Sequence, residues 1–508
     1  MLKSKAAASD TLSFSKRYPE LMHKLLGKTG LTVSACGFGS YRVDYRVKEH
    51  FDALEYAIES GINLIDTSAN YSDGGSEILV GNVLLDLINQ GEIKREEIVV
   101  MTKGGYLQGK NLELAKKMKE EGKGYNEIVE YTENLWHSIH PDFLKDQITL
   151  SLEKMKLESA DVYLLHNPEY FLDSPTAKEL EQEELRHEYY SRIKKAFEYL
   201  ESEVTSGRIS CYGISSNAFV KPSDDQVFTS LDKCLGIANE ISTDNHFYVI
   251  QFPLNALERG AIVHKNQTGD TKSLIEFAGK HGLGILINRP LNALNEKGLN
   301  RLADFEVSDE FTKLEEAQII AEINLLDSME EDFLKDYIDV LNLSDSNRQA
   351  VNYFLKAGQL LKENWKNFGS AESFNDVKKQ FLIPRVNYAL TALVTSPNLT
   401  DEMKTRLDKI AVQINKLIKI MDSIYGLMAN VRSRELHLRL NTLVEQSEAD
   451  KFIPLTLSQK AVLMLNSIDE VSCTLVGMRQ KKYVDDVSGS LKAEKISNVL
   501  EKWKKFEP

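Results

Sequence analysis

Three apolar runs, each ending in a different ionisable residue, constrain this chain more than any other feature. Asn63-Leu64-Ile65 leads into Asp66, with Tyr71 five residues further on in a small polar loop. Ile98-Val99-Val100-Met101-Thr102 leads into Lys103 and then Gly104-Gly105, and Val162-Tyr163-Leu164-Leu165 leads into His166 and then Asn167-Pro168. Taken alone, Asp66 and Tyr71 read as a strand-end cap and a surface aromatic. Three successive strands of this format are the pattern of a barrel site built at the carboxyl ends of parallel strands.

The rest of the chain alternates in the same way. Helical periodicity over about 48–60, 76–90, 141–156 and 175–206 separates the runs, and Ile209–Ser215, Phe247–Gln251 and Gly284–Ile287 supply a fifth, sixth and seventh strand. Strands alternating with helices predict a parallel sheet with crossover helices, here an α/β (β/α)8 barrel. Two short apolar runs around Gly27-Lys28-Thr29-Gly30 predict a hairpin ahead of strand one. Gly37 and Gly39 do not make a dinucleotide fingerprint, because Arg42 stands where the third glycine belongs and no helix opens there. Residues 1–22 read as a polar tail, and 107–138, rich in lysine, glutamate and glycine, as a solvated loop or short helices. The eighth strand, Ser472–Gly477, comes only after a long helical interruption. The boundaries predicted are a tail at 1–22, barrel at 23–301, helical insertion at 302–453 and barrel completion at 454–508.

Asp66, Tyr71, Lys103 and His166, in that order and those contexts, resemble the catalytic tetrad of the aldo-keto reductases. The resemblance runs from about Leu25 to Asn292 and resumes from about Thr456, with an atypical helical insertion between strands seven and eight. It implies a hydride transfer between NADP(H), or NAD(H), and a carbonyl or alcohol substrate: an aldehyde, a ketone or a sugar. Tyr71 would be the proton donor, Lys103 the cation that lowers its pKa, Asp66 the partner of the lysine, and His166 the group that orients the carbonyl. For the cofactor it implies Ser40, Tyr41 and Asp66 beside the nicotinamide, and Ser215, Ser216, Asn217 and Gln251 around its carboxamide. The family's stacking aromatic after strand seven is replaced by Asn288, with Arg289 next to it as a pyrophosphate partner and Leu291 following. Gly477, Arg479 and Lys481 stand where the family holds the 2′-phosphate, at a helix start that favours an anion. The asparagine often found near the adenine is replaced by Val487.

Within the insertion, Met403, Leu407, Ile410, Ile414, Leu417, Met421, Ile424, Met428 and Val431 are spaced alternately four and three apart. This coiled-coil-like seam must face something. An antiparallel helical subdomain packed on itself is the first reading, a homodimer interface the second. A lid over the catalytic rim is a further role open to the insertion.

The net charge of −14 over 508 residues argues against a nucleic-acid partner. No apolar run approaches ~18 residues, so no membrane span is expected. Without an apolar segment near Met1, a cytoplasmic location is expected. Cys36, Cys211, Cys234 and Cys473 show no paired spacing, so buried thiols and no metal site are expected. The alternative to the enzyme is a nicotinamide-binding regulatory or interaction protein that uses the insertion to hold a partner. A Schiff-base lyase is disfavoured, since Lys103 beside an acid stays protonated.

Overall fold

The computed structural model describes residues 1–295, 298–305, 311 and 313–506. They fall into two compact units, Met1–Leu291 with Leu440–Pro508, and Asn292–Arg439. The divisions therefore lie ten residues before 301 and fourteen before 453, the boundaries read from the sequence. The first shift has a local cause. Asn292–Asn295 and Gly298–Arg301 form an antiparallel hairpin that belongs to the helical unit and not to the barrel.

The first unit is a closed barrel of eight parallel strands. They are β1 (Cys36–Gly39), β2 (Leu64–Asp66), β3 (Val99–Gly104), β4 (Ala160–His166), β5 (Ile209–Ser215), β6 (Phe247–Pro253), β7 (Gly284–Asn288) and β8 (Val471–Val476). Each strand pairs with its neighbour in sequence, and β8 pairs with β1 to close the ring. The predicted hairpin pairs His23–Leu25 with Thr32–Ser34, and its Leu26, Leu31 and Val33 join the barrel's inner core.

That core explains where the functional side chains emerge. Its strand members are Leu64, Val99, Met101, Val162, Leu164, Cys211, Val249, Leu286, Cys473 and Leu475. Side chains two apart on a strand share a face. Counting on by two from these inward positions reaches Asp66, Lys103, His166, Ser215, Gln251 and Asn288. The polar residues form the last inward layer of the barrel, above layers of apolar residues. Position 213 lies in the same series and must be glycine: a Cβ there would stand 1.6 Å from the Val249 carbonyl oxygen.

Two expectations are corrected. The stretch 1–22 is not a free polar tail: Ala8–Ser15 is helical, Thr11 and Phe14 are buried, and the Ala6 amide donates to Asp161 at 2.7 Å. The helix is one short amphipathic segment, and its burial comes from packing on the barrel unit. The stretch 107–138 contains the helix Gly109–Glu120 but also a three-stranded antiparallel sheet of Tyr106–Leu107, Leu135–His137 and Val129–Thr132. Its strands are two to four residues long, too short for a period-two pattern to register.

The second unit is mainly helical around its own core. The helix Asp401–Asn441 carries the seam. Met403, Leu407, Ile410, Ile414, Leu417 and Met421 are buried in a cluster with Ile323, Leu326, Phe333, Leu361 and Leu393 of the same unit. Ile424 is partly buried against that cluster, whereas Met428 and Val431 are exposed. No helix of the described residues is long and apolar enough to cross a membrane.

Candidate active site

Strand register brings the site together. Asp66 pairs with Gly39 of β1, and Ser215 pairs with both His166 of β4 and Gln251 of β6, so these residues meet at one rim. The loop after β2 keeps following β3, with Thr67 and Ala69 donating to the Met101 and Lys103 carbonyls. Tyr71 then opens a tight turn, its amide bonded to the Ser68 carbonyl. Ser72 and Asp73 adopt left-handed φ of 50° and 56° before Gly74. That turn folds the phenol back over the lysine.

Lys103 is fully buried, and its ammonium pairs with Asp66 Oδ1 at 2.5 Å. It also donates to Tyr71 Oη at 3.1 Å and to the Thr67 carbonyl at 3.0 Å. Three donors thus meet three acceptors. Burial pushes the Asp66 carboxyl up and the Lys103 ammonium down, each opposed by its partner's charge. Burial, then the Asp66 carboxylate, holds the Tyr71 phenol well above its usual range. This is opposite in direction to the lowering expected from Lys103, with burial the larger cause and the Asp66 carboxylate the next. Tyr71 is therefore held in the protonated, donor form.

Burial, together with the Lys103 charge, holds the His166 imidazole well below its usual range and hence neutral. Its Nδ1 lies 3.1 Å from Ser68 Oγ. Its ring meets Tyr71 edge-on with centroids 6.0 Å apart and Tyr106 at 4.7 Å. Tyr41, largely exposed, packs edge-on against Tyr71 at 5.2 Å.

Gln251 connects the remaining residues. Its Nε2 donates to Asp66 Oδ1 at 3.2 Å, and its Oε1 accepts from Ser215 Oγ at 2.9 Å and Asn288 Nδ2 at 3.4 Å. Ser40 Oγ donates to the Asp66 carbonyl at 2.7 Å. Ser216 is buried and accepts from the Ala218 amide, whereas the Asn217 side chain is exposed. Arg289, at φ 52°, pairs with Glu258 at 2.7 Å, so its guanidinium already holds a carboxylate. Leu291 is half-buried in the turn that follows. Gly477 and Arg479 follow β8, and Lys481 opens the helix Lys481–Lys492, its ammonium 5.2 Å from the Tyr56 ring centre.

Among the buried acceptors that lack a partner among the described residues are Asn288 Oδ1 beside Gln251 and Gln480 Oε1 at the start of the Lys481 helix. An unmet buried acceptor is costly and calls for a donor. A carboxamide NH2 at the first and an adenine amine at the second are donors of the required kind, so the residues present fit a nicotinamide adenine dinucleotide.

Ser68 and Tyr106 escape a reading that looks only at strand ends. Ser68 lies two residues after Asp66, so the same parity that selects Asp66 could have pointed to it. Nothing local marks Tyr106, since only the fold brings it against His166. Among the described residues no group of His, Cys, Asp or Glu is arranged to hold a metal.

The fold and site define a (β/α)8-barrel protein with a buried Asp–Lys–Tyr–His cluster at the carboxyl ends of its strands. Residues 36–226 match the model of the aldo/keto reductase family. The chain is 28% identical over 149 residues to an NADH-specific methylglyoxal reductase of Escherichia coli (strain K12), covering 28% of this chain and 40% of that protein. It is 25% identical over 292 residues to a 7-acetyl-epi-neemfruitin B aldo-keto reductase of Melia azedarach, covering 57% and 71%. The chain thus spans well under two thirds of the length of the first curated relatives it matches. A solved aldo-keto reductase from Bacillus halodurans (holo form) is 13% identical with a TM-score of 0.47, covering 96% of this chain and 97% of that one.

Proposed function

We propose that this protein is an NADP(H)-dependent oxidoreductase that interconverts a small carbonyl compound and its alcohol. The observation that carries the reading is the Lys103 ammonium, fully buried at the barrel rim between Asp66 at 2.5 Å and Tyr71 Oη at 3.1 Å. Reduction adds a hydride to the carbonyl carbon and a proton to its oxygen. The bound dinucleotide supplies the hydride.

The chain's own residues manage the oxygen. Tyr71 Oη donates its proton to the carbonyl oxygen, and the Lys103 ammonium stabilises the phenolate left behind. Asp66 keeps Lys103 charged and aimed. His166, neutral at working pH, offers Nε2–H to the same oxygen when Ser68 donates to Nδ1. In the oxidative direction Tyr71 is the base. Gln251, Ser215 and Asn288 line the carboxamide site, and Asn288 Oδ1 accepts from its NH2. Arg479 and Lys481, at the positive end of the helix Lys481–Lys492, hold the 2′-phosphate, which favours NADP(H) over NAD(H). The complete Asp–Lys–Tyr–His set supports an enzyme over a binding module, which needs no buried proton donor.

The test is NADPH and NADH titration by fluorescence, then NADPH oxidation over a panel of aldehydes, ketones and sugars. Turnover that Tyr71→Phe removes supports the reading. Tight NADPH binding with no turnover on any carbonyl overturns the enzyme in favour of a nicotinamide-binding regulator.

A further inference from the structure

A second concave site lies outside the barrel mouth, between the loops that follow β4 and β5. It is a cleft of about 200 Å³ lined by Tyr131, Glu169, Tyr170, Asp173, Asn217 and Lys221, among others. At ~30 Å³ per water its volume equals six or seven waters, enough for a small organic ligand.

Glu169 is the unusual member. Its Oε1 accepts from the Asn217 and Ala218 amides at 2.8 and 3.2 Å, tying the two loops together. Its Oε2 is buried and has no hydrogen-bond partner among the described residues. A buried carboxyl oxygen in that state is stabilised by a donor arriving from the cleft. Burial pushes the Glu169 carboxyl up to about 7, against the pull of the Ser216 hydroxyl and the two amides. The site therefore presents a group that is close to half protonated near pH 7, able to donate as well as accept, and not a fixed anion.

The other walls narrow the ligand. Tyr131 and Tyr170 meet edge-on with ring centres 4.8 Å apart and give the cleft an apolar C–H-binding surface. Tyr131 Oη donates to Asp173 at 2.7 Å, so a carboxylate and a phenol hydroxyl sit together at the edge. Lys221, which also pairs with Asp225 at 3.5 Å, lines the same cleft as Glu169 and Asp173, so the lining carries both signs. Hydroxyls satisfy acceptors and donors alike without adding charge.

We propose that this cleft is a binding site for a neutral polyhydroxylated small molecule, a sugar or sugar alcohol, with Glu169 Oε2 and Asp173 taking hydroxyls and Tyr131 and Tyr170 lying against its carbon face. The site is distinct from the Tyr71–Lys103 cluster, with the Tyr106 ring standing between Tyr170 and His166. It goes beyond the reductase reading and does not depend on it.

The test is calorimetric titration of the full chain with D-glucitol, without any nucleotide, against ethylammonium and inorganic phosphate as charged probes. Saturable glucitol binding is expected, weakened about tenfold or more by Asp173→Ala and by Tyr170→Ala and unchanged in Tyr71→Phe, as loss of one or two contacts predicts. Asp173 is exposed, so that variant tests the site without threatening the fold. Absence of saturable glucitol binding, equal affinity in Asp173→Ala and Tyr170→Ala, or stronger binding of either charged probe overturns the proposal. Failure of every carbonyl to turn over, with glucitol binding intact, would sink the reductase reading alone.

Discussion

Gln251 on the sixth strand donates to Asp66 on the second across the barrel mouth, at 3.2 Å. The same carboxylate oxygen receives the Lys103 ammonium, so one buried anion joins the proposed carboxamide site to the proton donor. Cutting this link should cost both functions. Gln251→Leu is expected to weaken NADPH binding about 10- to 100-fold, the range for hydrogen bonds to neutral and charged partners, and to lower kcat as well. Wild-type NADPH affinity in Gln251→Leu would remove this residue from the cofactor's site.

Tyr71→Phe removes only a hydroxyl. A positioned general acid contributes about 10²–10⁴ to rate, so kcat for reduction should fall by that factor while NADPH affinity stays within about threefold. Steady-state kinetics paired with fluorescence titration separates the two.

The Tyr71 phenol is held above its ordinary range and the His166 imidazole below its own. Neither group changes charge in the middle of the pH scale. Reduction by the wild type should therefore show no inflection from either between about pH 6 and 9, where an ordinary imidazole at ~6.5 would titrate. A kcat profile falling with an imidazole-like midpoint would contradict the burial argument.

Glu169 has its carboxyl raised from 4.5 to about 7 in the folded chain. The folded state thus binds this proton more tightly than the unfolded chain. Its stabilisation is complete below about pH 4.5 and is lost as pH rises through 7, a swing of roughly 3 kcal/mol at 1.36 kcal/mol per pH unit. Glu169→Gln keeps an oxygen for the Asn217 and Ala218 amides and cannot ionise. Its Tm should fall less than that of the wild type between pH 5 and 8. Parallel Tm curves for the two proteins would refute the assignment.

In the helical unit, Leu417 is fully buried and Val431 is 58% exposed, although both belong to one sequence seam. Leu417→Ala should destabilise this unit by about 2–5 kcal/mol and Val431→Ala by no more than about 0.5 kcal/mol. Urea melts followed by circular dichroism would read the difference. Equal effects would mean that the seam is covered along its whole length.

The sequence by itself determined the barrel and most of the tetrad, because both are written in strand format. An apolar run that ends in a polar residue marks a buried strand and the side chain at its carboxyl end, and parity along the run fixes which way that side chain points. Asp66, Lys103, His166, Ser215 and Gln251 were legible on that basis, and the 3.6-residue period exposed the seam around Leu417. Tertiary structure decided what no local pattern carries. The sheet within 107–138 is built of strands too short to show a period, and the N-terminal helix gains its burial from the segments Thr32–Ser34 and Arg95–Glu97, which its own sequence does not announce. The proton affinity of Tyr71 was decided in the same way: Lys103 alone predicts a lowered pKa, but burial and the Asp66 carboxylate push it up. Glu169 and Tyr170 follow His166 in an unremarkable loop, and only the approach of the Asn217 loop and the Tyr131 strand makes a cleft of them. Burial and long-range charge depend on which distant segments the fold brings together, and a linear pattern does not encode that distance.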